Sequence, residues 1–92
     1  MKTHVDELVR GFSLLSDPTR LGVLRLLAKR PHNVTSLCKA LGMKQPGVSH
    51  HLGILRMGRL VEGKRKSKQV IYSSDKAALK ALSAGLARLM RK

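Results

Sequence analysis

The stretch VTSLCKALGMKQPGVSHHLGILRMGRLV, residues 34–61, decides the fold. Its first part reads as a short helix from about Thr35 to Leu41, capped by Thr35 or Ser36 and stopped by Gly42. A second helix starts between Lys44 and Pro46, since proline is tolerated in a first turn, and ends near Gly58. It carries Val48, Leu52 and Leu55 on one face. Helix-turn-helix units place a small residue about four positions before the turn glycine and an apolar one about six after it. Cys38, Gly42 and Val48 fill those places.

The flanks complete the pattern. Upstream, residues 4–15 put Val5, Leu8, Val9, Phe12 and Leu15 on one helical face, with Asp6 and Glu7 in the dipole-favoured first turn. Asp17 then reads as the N-cap of a second helix with Pro18 at its first position. This helix turns Leu21, Leu24 and Leu27 or Ala28 inward, and Pro31 closes it. Downstream, Leu60–Arg65 and Gln69–Ser73 read as two short strands around the basic tip KRKSK. Asp75 caps a last helix over 76–90, where Leu79, Leu82, Leu86 and Leu89 recur at helical steps. The expected fold is mainly α with a small β-hairpin, an α+β winged helix-turn-helix of five helices plus a wing. It forms one domain over 1–92, with 35–58 as the helix-turn-helix and 60–73 as the wing.

Charge points to the partner. The 92 residues hold 19 Lys and Arg against five Asp and Glu, a net charge of +14. Six of the basic and three of the acidic side chains lie in residues 1–35, so the excess is concentrated downstream. Such an imbalance repels itself unless a polyanion lies nearby, with nucleic acid first and an anionic membrane surface second. A single cysteine, Cys38, forms no internal disulfide, and no apolar run approaches a membrane span or signal-peptide core. A cytoplasmic protein, nucleoid-associated when bound to DNA, is expected. Five acids, no phosphate-cradling motif and no Ser/His/Asp constellation leave an enzyme without parts.

The adjacent histidines His50 and His51 invite a metal reading, which helical geometry opposes. Successive residues lie about 100° apart, so the two rings point in different directions; a metal-binding helix uses i, i+4 spacing. With Val48, Leu52 and Leu55 inward, His50, Gly53 and Met57 face out, with Ser49 and His51 on the flanks.

The segments 15–27, 34–61 and 68–74 (LSDPTRLGVLRLL, the stretch above, and KQVIYSS) resemble the ArsR/SmtB-type winged-helix repressors over roughly residues 10–92. The resemblance implies a homodimer that binds operator DNA and is built chiefly by the first and last helices. That assigns Val5, Leu8, Phe12, Leu79, Leu82, Leu86 and Leu89 to the dimer interface. The family's third-helix metal positions correspond to Asn33 and Thr35, poor ligands for a soft metal. Its last-helix positions correspond to Lys76, Ala78, Leu89 and Lys92, or to Asp75, Ala77, Arg88 and Arg91 one residue earlier. No metal or other cofactor is expected, and no effector is identified. A site from His4, His32 and Cys38 has no spacing argument behind it, and Cys38 reads as a packing residue.

The expected partner is double-stranded DNA. Gln45 can pair with adenine, Ser49 can bond a base or a phosphate, and His50 can donate or accept or remain a solvated surface residue. For His51 two readings stand, a half-buried packing role and a phosphate bond. Lys44, Arg56 and the wing residues Lys64, Arg65, Lys66 and Lys68 would meet phosphates; the alternative for the wing is a solvated loop. Ser67 stands where the family usually has glycine. Gly47 and Gly53 each cost roughly 1 kcal/mol of helix propensity, and either admit the DNA backbone closely or keep the helix soft until bound. The competing function is a non-specific nucleic-acid binder, DNA-architectural or RNA-binding. The two aromatics, Phe12 and Tyr72, sit in core or strand positions, which counts against RNA base stacking.

Overall fold

Asp17, Asn33 and Asp75 each begin a helix by accepting a hydrogen bond from a main-chain N–H three residues on: Arg20 at 3.0 Å, Ser36 at 2.8 Å and Ala78 at 3.0 Å. In the computed structural model, which describes residues 4–91, the chain runs α1 (His4–Leu15), α2 (Pro18–Lys29), α3 (Val34–Leu41), α4 (Gln45–Met57), β1 (Val61–Lys66), β2 (Gln69–Ser74) and α5 (Lys76–Leu89). Lys92 lies outside the described residues. The cap of α3 is Asn33, not Thr35 or Ser36; the asparagine carboxamide reaches Ser36 N–H and starts the helix at Val34. Gly42 ends α3 with φ 66°, a left-handed conformation that costs glycine nothing.

One core joins α2, α3, α4 and the start of the hairpin. Leu37, Val48 and Leu55 are fully buried, and Leu52, Leu60 and Val61 nearly so. Leu24 and Leu27 are buried as expected, but Leu21 is 49% exposed and the buried neighbour is Val23. With Val23, Leu24 and Leu27 inward, Leu21 lies about 115° from the middle of that arc, beyond the contact with α3 and α4.

The hairpin starts and ends one residue later than expected, with Val61 opposite Ser74 and Lys66 opposite Gln69. The two-residue turn places Ser67 at φ 58°, a conformation glycine adopts without strain. His32 adds a bridge on the other side of β2: its N–H donates to Tyr72 O at 3.0 Å and its carbonyl accepts from Tyr72 N at 2.8 Å. The wing is thereby tied to the segment that leads into α3.

The layer of α1 and α5 packs differently. Leu82 lies against Gly11, where an added Cβ would come within 2.6 Å of it, and Leu8 sits against Gly85 in the same way. Each helix inserts a leucine where the other has no side chain. Of the apolar face expected on α1 only Leu8 is buried; Val5 and Val9 are about three-fifths exposed.

Candidate nucleic-acid interface

α4 turns Gln45, Ser49, His50 and Arg56 outward, and Lys44 precedes it at the N-cap position, all exposed. Gln45 and Ser49 are one helical turn apart and form one wall of a groove of about 410 Å³. Its other walls are Asn33 and Thr35 at the start of α3, and Lys68, Gln69 and Tyr72 of the wing. Asn33 does double duty here. While Oδ1 caps α3, Nδ2 donates to Gln69 Oε1 at 2.6 Å, fastening the wing tip to the helix-turn-helix. The expected residues Gln45, Ser49 and Lys68 are thus brought to one place.

The other wing cations divide between two faces. Strand alternation puts Arg65, opposite Val70, on the side of Gly63 and Tyr72, and places Lys64 and Lys66 with Ile71 on the reverse side. Lys64 Nζ lies 3.9 Å from Glu62 Oε1, an exposed pair worth at most about 1 kcal/mol.

The two histidines diverge. His50 is exposed, whereas the His51 side chain is only 18% exposed. Their rings meet edge to face with centroids 5.4 Å apart. His51 Nδ1 lies 3.4 Å from Arg20 Nη1 and 3.7 Å from Asp17 Oδ2, on the α2 side. Arg20 N–H, bonded to the Asp17 carboxylate, is the main cause that holds this acid below its ordinary value, with His51 and the Arg20 charge adding to it. Sequence reasoning missed Arg20. The available signal was the absence of any basic residue in the last turn of α1.

His32 is buried, its Nδ1 2.7 Å from Ser36 Oγ, and burial foremost, then the Arg30 charge, lowers its pKa from 6.5. Cys38 is half-buried against the core, as its small-residue position requires. His4, His32 and Cys38 do not converge: among the described residues no three His, Cys, Asp or Glu side chains group as a metal site would need. Gly53 lies on the Gln45–Ser49 stripe with nothing within 4 Å of where a Cβ would stand, while a Cβ added at Gly47 would come within 3.1 Å of the Met43 methyl.

On the proposed dimer face, Leu8 and Leu82 are engaged within the chain, and Phe12 and Leu79 are half-buried. Val5, Leu86 and Leu89 are 60%, 47% and 59% exposed, and form with Val9 and Met90 the apolar outer side of α1 and α5.

Comparison with known proteins places this geometry. Residues 17–63 match the family model for bacterial regulatory proteins of the arsR family. The HTH-type transcriptional regulator NmtR of Mycobacterium tuberculosis is 44% identical over 59 residues, covering 64% of this chain and 49% of that protein. The chain spans about half the length of the first curated relatives it matches. Among solved structures, HlyU from Vibrio cholerae superposes with a TM-score of 0.81 at 27% identity, covering 97% of each chain. A homodimeric winged helix-turn-helix DNA-binding domain from Mycobacterium bovis gives 0.74 at 32% identity, over 91% of this chain and 81% of that one.

Proposed function

Because the chain belongs to the ArsR family of bacterial regulatory proteins, we propose that it is a homodimeric transcriptional repressor that reads double-stranded DNA without the family's usual metal-sensing sites. The observation that carries this reading is the groove in which Gln45 and Ser49 of α4 face Lys68 of the wing. Base-reading and phosphate-binding groups there lie side by side, as a major-groove helix with an adjacent wing requires. Gln45, Ser49 and His50 read base edges, and Lys44, Arg56, Lys64, Arg65, Lys66 and Lys68 meet phosphates. The whole chain acts as one domain around its single core, with the apolar outer side of α1 and α5 covered by a second copy. Among the described residues no helix is long and apolar enough to cross a membrane, in keeping with a cytoplasmic, DNA-associated protein.

The test compares an operator, selected by the protein from a random duplex pool, with a random duplex. Gln45→Ala costs about 1–3 kcal/mol on the operator and little on the random duplex. Equal losses on both would sink base reading and favour the non-specific binder. That second reading draws on Lys64 and Lys66, which take the wing face away from Tyr72 and suit sequence-independent contact.

A further inference from the structure

The corner between α1 and α2 is built around one guanidinium. The last turn of α1 has no basic residue, and two of its carbonyls accept from Arg20 in the first turn of α2, Ser13 O alongside its bonds from Ser16 N–H and Oγ. Arg20 Nε donates to Leu14 O at 2.7 Å and Nη2 to Ser13 O at 3.2 Å. The remaining nitrogen, Nη1, faces His51 Nδ1 at 3.4 Å, across 31 residues of sequence. Arginine has only donors to offer, so this contact is a hydrogen bond in the tautomer that leaves His51 Nδ1 unprotonated. Asp17 braces the group, accepting Arg20 N–H at 3.0 Å and lying 3.7 Å from the same imidazole nitrogen.

A guanidinium is planar, with donors in fixed directions. Its three contacts cannot shift independently, and a displacement of the end of α1 moves the donor offered to His51. His51 adds a polar anchor to the rotation of α4 that the buried Val48, Leu52 and Leu55 set. Each residue is about 100° from the next, so an inward His51 fixes where Gln45, Ser49 and His50 point.

Resting on the function proposed above, we infer that Arg20 is a positioning residue that acts through His51, coupling the end of α1 to the attitude of the reading helix. It works without touching nucleic acid. The helix that carries the exposed apolar side chains Val5 and Val9 is thereby linked to the helix that reads bases. The side-by-side histidines divide the labour: His50 faces outward, and His51 anchors.

The test measures binding of the wild type, Arg20→Lys, His51→Leu, His51→Gln and the Arg20→Lys/His51→Leu double variant to the selected operator and a random duplex at one salt concentration. Arg20→Lys keeps the charge and loses the fork, so preference for the operator falls about tenfold while random-duplex binding stays within about twofold. His51→Leu behaves the same way. His51→Gln, whose amide oxygen can accept from Arg20, keeps the preference within about threefold, and the double variant is no worse than either single one because all remove one link. In the free protein, the ¹⁵N resonance of His51 Nδ1 reports an acceptor nitrogen and moves in Arg20→Lys. Should Arg20→Lys not fold, the two His51 variants decide. Unchanged preference in folded Arg20→Lys and His51→Leu overturns the inference, and so does an equal loss on both duplexes, the behaviour of a phosphate ligand. A wild type with no operator preference would defeat the functional reading itself, and this inference with it.

Discussion

The interior shared by α2, α3 and α4 is closed within one chain, whereas the layer of α1 and α5 leaves an apolar side open. In the first, Leu37, Val48 and Leu55 have no exposed surface, and the hairpin seals the end with Leu60 and Val61. In the second, leucines are seated against Gly11 and Gly85, yet Val9, Leu89 and Met90 remain 61%, 59% and 75% exposed. The first is complete within one chain, and the layer behind it has contact surface to spare. An apolar strip of this kind marks a protein contact more often than a solvent face.

Substitutions can break or sharpen that contrast. Leu37→Ala, in the closed interior, should lose about 2–5 kcal/mol of unfolding free energy in a urea titration. A loss under about 1 kcal/mol would mean the interior is loosely packed. Leu86→Asp, on the open side, should weaken self-association by about 1.5–3 kcal/mol per subunit in sedimentation equilibrium, with the helical circular dichroism of the monomer retained. A variant that stays dimeric would move the contact elsewhere.

Glycine substitutions probe the same contrast with one methyl group. Gly85→Ala pushes a methyl into Leu8 and should destabilise by about 1–3 kcal/mol. Gly53→Ala meets nothing in the chain and should stabilise by about 0.5–1 kcal/mol through helix propensity. Opposite signs in thermal melts are the expected result; two losses would show that Gly53 also has a hidden neighbour.

The smallest effect concerns pH at the clasp between wing and helix-turn-helix. Burial lowers the pKa of His32 in the folded chain, so the unfolded chain takes up the proton first. Its contribution is complete above the unfolded value of 6.5 and is lost as pH falls through 6.5 toward the lowered folded value. Denaturation midpoints should start to drop as pH falls through about 6.5, and His32→Asn should flatten that drop.

Most of the fold was legible because its signals are local. Asp17 with Pro18, Gly42, and Asp75 act within a few residues, and the Val48, Leu52, Leu55 spacing marks a buried face whatever lies opposite. The cap of α3 was placed at Thr35 or Ser36 because these hydroxyl residues follow Asn33 and any of the three can cap; Leu21 was placed inward because a helix packed on several sides buries a wider or rotated arc. The candidate site was legible as a set of exposed residues but not as an arrangement. The pairing of Asn33 with Gln69 spans 36 residues and that of Arg20 with His51 spans 31, distances over which sequence spacing carries no directional information.

The sequence by itself determined a winged helix-turn-helix with a strongly basic character, because periodicity, caps and charge are properties of neighbouring residues. Only the tertiary structure decided which side of α4 each histidine serves, which wing cation joins Gln45 and Ser49, and which leucines are engaged within the chain. Those outcomes depend on how separate helices dock, and docking brings together groups whose positions along the chain do not reveal that they will meet.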